Sequence, residues 1–179
     1  MVTIKAKTPP RDQSNSLITH TDALKEFDYI GKIELINITL LAFFSSAKCP
    51  ASLILKAHDY AKEIRNGEMG VISGFHSPAE REVLEVLLKG KCPIVVVLGR
   101  RLKNARIPVT WKTEIEKGRM LIISPFKEYQ KYVTKEMSMK RNDLAARIAG
   151  RVMIVHDGEG GSLEGQVERW EEEGIRFEY

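Results

Sequence analysis

The 179-residue chain is 43% hydrophobic with a net charge of +4, enough for one packed core and only a mild bias toward anions. No apolar run approaches the ~20 residues that cross a bilayer, and the first residues lack a signal peptide's apolar core, so a cytoplasmic protein with no membrane partner is expected. Cys49 and Cys92 show no C-x-x-C spacing, which argues against a disulfide framework or a zinc site; neither a metal nor a cofactor is expected.

Residues 1–30 are polar, with Pro9-Pro10 and no apolar period. They read as an arm, extended or partly disordered, with a short helix around 23–27. Residues 33–44 form the first strand region, continuously apolar over 38–44 apart from Thr39, as in a strand buried on both faces. It ends at Ser45-Ser46, and a helix over 51–65 is stopped by Asn66-Gly67. A second strand begins at Gly70 and breaks at Ser73-Gly74. It leads to a helix over 78–89, with Ser77 as its N-cap and Pro78 at its first position. This junction is expected to leave free backbone N–H groups, the arrangement by which open α/β sheets hold phosphate. A third strand over 93–98 runs into Gly99-Arg100-Arg101, and a short helix follows over 110–117. A fourth strand over 120–124 precedes a helix over 133–149. A fifth strand over 152–156 leads through a glycine-rich loop to a helix over 163–173 and a last strand over 175–179.

Apolar strands alternating with helices predict an α/β domain over residues 31–179. It is a three-layer sandwich with a mostly parallel sheet of five to six strands, covered on both faces. Right-handed crossovers bring the strands' carboxyl ends to one border. There they gather Ser45, Ser46, Ser73, Gly74, Phe75, His76, Ser77, Arg100, Arg101, Arg141, Asn142, Gly160, Gly161 and Ser162. Small residues admit a ligand, hydroxyl and N–H groups hold anions, and arginines grip phosphate bidentately. A nucleotide or phosphate site is the functional expectation; an ordinary scaffold rim is the alternative. His76 and His156, both at strand ends, could approach each other as base or ligand, or could each order a loop. Lys127, Lys131 and Lys135, spaced by four among Tyr129 and Tyr132, would form a basic stripe tracking a nucleic-acid backbone if that segment is helical. A solvated helix face would explain them equally well. Trp111 and Trp170 are read as packing residues.

Three features taken together resemble the Rossmann-like core of the DNA-processing protein A (DprA/Smf) family: Ser73-Gly74 closing the second strand, Arg141-Asn142 before the fifth, and Gly161-Ser162-Leu163 after it. The family reads S-G-x-A-x-G-I-D, then R-N-R, then S-G-S-L in this order. The resemblance covers roughly residues 40–179. It implies a Rossmann-like fold, an anion or single-stranded DNA surface lined by Ser73, Gly74, Arg141, Asn142, Gly161 and Ser162, a role in DNA processing or recombination, and a homodimer. The chain departs from the pattern at Phe75-His76-Ser77-Pro78-Ala79-Glu80, at Asp143 (the second arginine of R-N-R) and at Gly165 (usually threonine). A divergent binding domain without chemistry is therefore expected. The same core occurs in LOG-type phosphoribohydrolases, whose glycine-rich loop carries a catalytic glutamate. Gly160-Gly161-Ser162-Leu163-Glu164 echoes that loop in part, making Glu164, with His76, the residues of the enzymatic alternative: hydrolysis of a nucleotide N-glycosidic bond. A nucleotide-sensing protein is the third expectation.

Overall fold

The computed structural model describes residues 27–158 and 161–178. Seven strands, β1 (Asp28–Gly31), β2 (Leu40–Ser45), β3 (Gly70–Ser73), β4 (Ile94–Val97), β5 (Met120–Ser124), β6 (Arg151–His156) and β7 (Arg176–Glu178), form one sheet in the order β1-β5-β4-β3-β2-β6-β7. Every neighbouring pair is parallel except β1, which runs antiparallel to β5. Five α-helices connect them: α1 (Ala51–Ile64), α2 (Pro78–Leu88), α3 (Val109–Glu116), α4 (Lys135–Ala149) and α5 (Ser162–Glu172).

The central strands are buried throughout because both faces of the sheet are covered. Leu41, Phe43, Val71, Ile94, Val96 and Ile122 face a core shared with Ala57, Ala61, Val83 and Leu87 of α1 and α2. Their sequence neighbours Leu40, Ala42, Phe44, Ile72, Val95 and Val97 face the other core, with Ala145, Ala146, Leu163 and Trp170 of α4 and α5. This is the two-residue alternation of a strand, with both sides apolar. From β2 to β5 the chain moves outward in one direction. It then returns over the opposite face through α4 to place β6 beside β2. The reversal puts the switch point of the sheet at the carboxyl ends of β2 and β6, the position where open α/β sheets form a crevice.

The mostly parallel three-layer architecture agrees with the sequence reading, and the edge differs. Seven strands are present among the described residues, where five to six are expected. Residues 33–37 are a 3₁₀ helix (Ile33–Asn37), where the sequence suggests the start of a strand. The segment reverses direction at Gly31 (φ 110°), where a Cβ would meet the Met120 carbonyl oxygen at 2.4 Å. The additional strand is β1, a four-residue edge too short to carry an alternation pattern. Residues 1–26, which hold most of the expected arm and its short helix, lie outside the described residues. Phe27 is buried against Leu35, Leu121 and Ile123, and Trp170 packs on Phe44 with ring centroids 5.1 Å apart.

Arg119 fastens the layer of α2 and α3 to the sheet. Its guanidinium donates to Glu114 Oε2 at 2.6 Å and to the carbonyls of Leu87, Leu88 and Cys92 at 3.0–3.1 Å. It thereby satisfies the Leu88 carbonyl at the end of α2 and adds a second donor to that of Leu87, which also accepts from Gly90 N. Arg119→Met removes this donor from the Leu88 and Cys92 carbonyls and leaves Glu114 with Lys117 alone, and is expected to lower the unfolding free energy by about 2–3 kcal/mol, read from urea denaturation.

Candidate functional site

The turn after β3 is closed from within. Glu80, at the third position of α2 and 4% exposed, accepts from the backbone N–H of Ser45 (3.1 Å), His76 (2.8 Å) and Ser77 (3.4 Å). The Ser77 hydroxyl accepts from Glu80 N at 3.2 Å, completing a capping box. Ser73 Oγ accepts from Phe75 N at 3.1 Å. Of the N–H groups expected to be free here, those of Phe75, His76, Ser77 and Glu80 are thus already engaged. A residue of the chain itself supplies the anion that the helix N-terminus favours. Glu80→Ala removes that anion; orphaned buried N–H groups cost roughly 1–3 kcal/mol each, so a loss of at least about 2 kcal/mol is expected in thermal or urea unfolding.

Phe75 corrects another expectation. It is 5% exposed, belongs to the core on the α1–α2 side and adopts φ 51°, a left-handed conformation uncommon for a bulky residue. The step places its ring in that core, away from the open rim expected of it, and leaves the next residue, His76, exposed.

Arg141 lies across this turn. It is 5% exposed, and its guanidinium packs against the backbone of Gly74, where a Cβ would come within 2.4 Å of Nε and 2.5 Å of Cζ. The same side chain reaches Gly99, whose added Cβ would lie 3.5 Å from Nη1. Two glycines from neighbouring strand ends therefore make the seat. Asn142 Oδ1 holds Arg141 Nε at 3.1 Å and Nη2 at 3.0 Å. Asn142 Nδ2 in turn donates to Gln166 Oε1 at 3.2 Å, and Gln166 Nε2 donates to Asp143 Oδ1 at 2.7 Å and to the Met139 carbonyl at 2.9 Å. Asp143 also accepts from Trp170 Nε1 at 3.0 Å and pairs with Arg169. The aspartate at the family's second arginine position thus ties α4 to α5, and the chain Asp143–Gln166–Asn142 holds Arg141 in place.

The cation has no carboxylate within ion-pair distance among the described residues. Burial lowers the Arg141 pKa, and the charge of Glu80 opposes that shift; a guanidinium stays protonated regardless. His76 sits beside it. Desolvation by the surrounding protein comes first, followed by the charges of Arg141, Arg81 and Arg100, and together they lower the His76 pKa from 6.5 to about 4. The imidazole is therefore neutral at pH 7 within a group of three arginines. Arg100 is exposed, and its carbonyl accepts from Ser124 Oγ at 2.6 Å, which fixes the loop after β4. Arg101 stacks over the Tyr129 ring at 5.1 Å.

Ser45 and Ser46 meet the loop after β6. Ser46 N donates to the His156 carbonyl at 2.6 Å, and an added Cβ on Gly158 would lie 3.0 Å from Ser46 Oγ. That hydroxyl is the buried side-chain polar atom without a partner among the described residues. Gly161 precedes α5 as its N-cap residue, Gly160 and the Ser162 side chain lie outside the described residues, and Glu164 is exposed in the first turn of α5. His76 and His156 follow β3 and β6, with β2 between them, and no bond joins the two rings among the described residues.

The lysine stripe is corrected as well. Residues 125–134 are not helical, so Lys127, Lys131 and Lys135 share no helix face. Lys127 pairs with Asp28 at 2.6 Å. Lys131 lies over the Tyr132 ring at 5.3 Å, and Lys140 over Phe126 at 5.9 Å; Lys135 is exposed at the start of α4. The segment is an irregular loop that displays Tyr129 and Tyr132, 65% and 72% exposed, with cations against or beside their rings.

A strand-end rim with a buried arginine seated on the S-G turn combines the features by which the sequence resembled a known family. The profile described as DNA recombination-mediator protein A matches residues 5–167. The chain belongs to that family. DNA processing protein A from Streptococcus pneumoniae superposes with a TM-score of 0.69 at 19% identity, covering 84% of this chain and 53% of that one. DNA processing protein A from Helicobacter pylori, whose structure is described for its single-stranded DNA binding mode, superposes with a TM-score of 0.67 at 15% identity, covering 96% of this chain and 78% of that one. The chain thus spans about half the length of the pneumococcal protein. No curated protein matches it in sequence. No helix among the described residues is long and apolar enough to cross a membrane.

Because the His76 pKa is depressed in the folded state, its neutral ring contributes stability above pH 6.5, and that contribution is lost as the pH falls toward about 4. Calorimetric melting temperatures between pH 7 and pH 4.5 should fall less in His76→Gln than in the unaltered chain.

Proposed function

We propose that this member of the family binds single-stranded DNA at the carboxyl-end rim of its sheet, with phosphates held by Arg141 and Arg100 and bases stacked on Tyr129 and Tyr132. The observation that carries the reading is the Arg141 guanidinium. It is almost fully buried, positioned by Asn142 on a glycine seat and without a carboxylate partner among the described residues. A buried cation is costly unless its charge is used, and a phosphate oxygen matches the guanidinium's planar donors. The exposed aromatic loop adds what a single strand has and a duplex hides, the faces of its bases. The Helicobacter pylori relative's single-stranded DNA binding supports the same ligand class. The scheme needs no bond-breaking step.

Fluorescence anisotropy with a labelled oligo(dT) at several salt concentrations tests this. Arg100→Ala should weaken binding and reduce the slope of log K against log[salt] by about 0.7, as for one phosphate contact to a single strand. Tyr129→Ala should weaken binding by about 1–3 kcal/mol with the salt slope retained. Gly74→Ala, which puts a methyl group into the Arg141 guanidinium, should weaken binding as Arg141→Ala does. Absence of oligo(dT) binding at low salt would remove this assignment.

A further inference from the structure

Among the cations of the rim stands His76, a neutral imidazole. His76 is set there by backbone constraint: Phe75, at φ 51°, turns inward before it, and its own N–H is held by Glu80 Oε2 at 2.8 Å. Arg81 on α2, Arg100 after β4 and Arg141 on α4 all act on its ring as positive charges. The carboxylate at this turn is Glu80, whose oxygens accept from the N–H groups of Ser45, His76 and Ser77 and point to the backbone. Burial comes first among the causes that hold the ring neutral and the three arginine charges follow; an anion placed among those charges offsets their share and favours the protonated ring.

We propose that His76 is a proton-dependent phosphate ligand, neutral in the empty rim and taking up one proton from solvent when a DNA phosphate seats between it and Arg141. No bond is made or broken apart from the N–H formed on the ring, which then donates to a phosphate oxygen as a charge-assisted hydrogen bond. The proposal rests on the reading of the rim as a single-strand site and adds to it a specific residue and a pH dependence. The family's pattern carries alanine at the second position after S-G, where this chain has His76, so the device belongs to this chain's departure from the pattern. The empty-site pKa of about 4 sets the lower limit of the window, and the upper limit is the raised pKa of the bound state. Between them the bound protein carries one more proton than the free protein, so affinity rises as the pH falls.

The experiment uses the full chain and labelled oligo(dT), since neither thymine nor a phosphodiester titrates between pH 8 and pH 5. Anisotropy at constant ionic strength should show the dissociation constant falling on acidification by up to about tenfold per pH unit, the limit for one linked proton. His76→Gln should flatten this profile, whereas His156→Gln should keep it. Titration of the assigned His76 ring resonances by NMR should give a higher pKa with saturating oligo(dT) than without. A profile that keeps its slope in His76→Gln, or a His76 pKa unmoved by bound oligo(dT), overturns the proposal and leaves the single-strand reading standing. No binding at any pH overturns both.

Discussion

The contact on which the rim depends is the Glu80 carboxylate lodged at the N-terminus of α2. One side chain ties the end of β2, through Ser45 N, to the turn after β3, through His76 N and Ser77 N. It occupies the position that a helix N-terminus would otherwise offer to an outside anion. Two consequences follow. The N–H groups of Phe75, His76, Ser77 and Glu80 are engaged within the chain, which shifts the weight of the proposed recognition to side chains. In addition, a negative charge is fixed beneath the place where Arg141 must sit, offsetting part of the penalty of burying a guanidinium.

Arg141 is then positioned from three sides. Gly74 and Gly99 leave room for its plane, and a methyl group at either would press against it. Asn142 takes two of its N–H groups, and Gln166, fully buried, relays that grip to Asp143 and to α5. Losing an arginine at position 143 removes a cation from the rim and gives in return a carboxylate that accepts from Gln166, Trp170 and Arg169. Arg141 is thereby a well-held cation, and preorganised donors lose less entropy on binding.

Much of the layered fold was legible because buried parallel strands announce themselves. Val95-Val96-Val97 and Leu121-Ile122-Ile123 are runs that only a sheet covered on both faces accommodates, and Ser77-Pro78 marked the start of α2. The edge was not legible. β1 is four residues long, and it is a strand because β5 lies beside it, a tertiary fact with no local signature. At the rim, residue types pointed to Gly74, Arg141 and Asn142 correctly as neighbours, but the sequence alone cannot show which groups are already spent. Neither Glu80 nor Gln166 is among the residues that the sequence gathers at the rim. Their roles arise from pairs 35 and 24 residues apart, Ser45 with Glu80 and Asn142 with Gln166, and only folding brings such pairs together. The capping-box spacing of Ser77 and Glu80 was the one signal that could have shown the turn to be internally satisfied.

The lysine spacing failed for an instructive reason. A four-residue interval implies a shared face only if the backbone is helical, and Pro125 begins a loop that stays irregular until Thr134 caps α4 through Met137 N. The segment has another organisation instead. Cations placed against aromatic rings, Arg101 on Tyr129 and Lys131 on Tyr132, hold the rings outward in water, where apolar area is ordinarily withdrawn. Under the proposed single-strand reading, exposed tyrosines braced in this way and a seated guanidinium would divide the work of recognition. Phosphate contacts would be deep, charged and sensitive to salt and base contacts shallow and apolar, and a duplex, its bases already stacked on one another, would satisfy only the first.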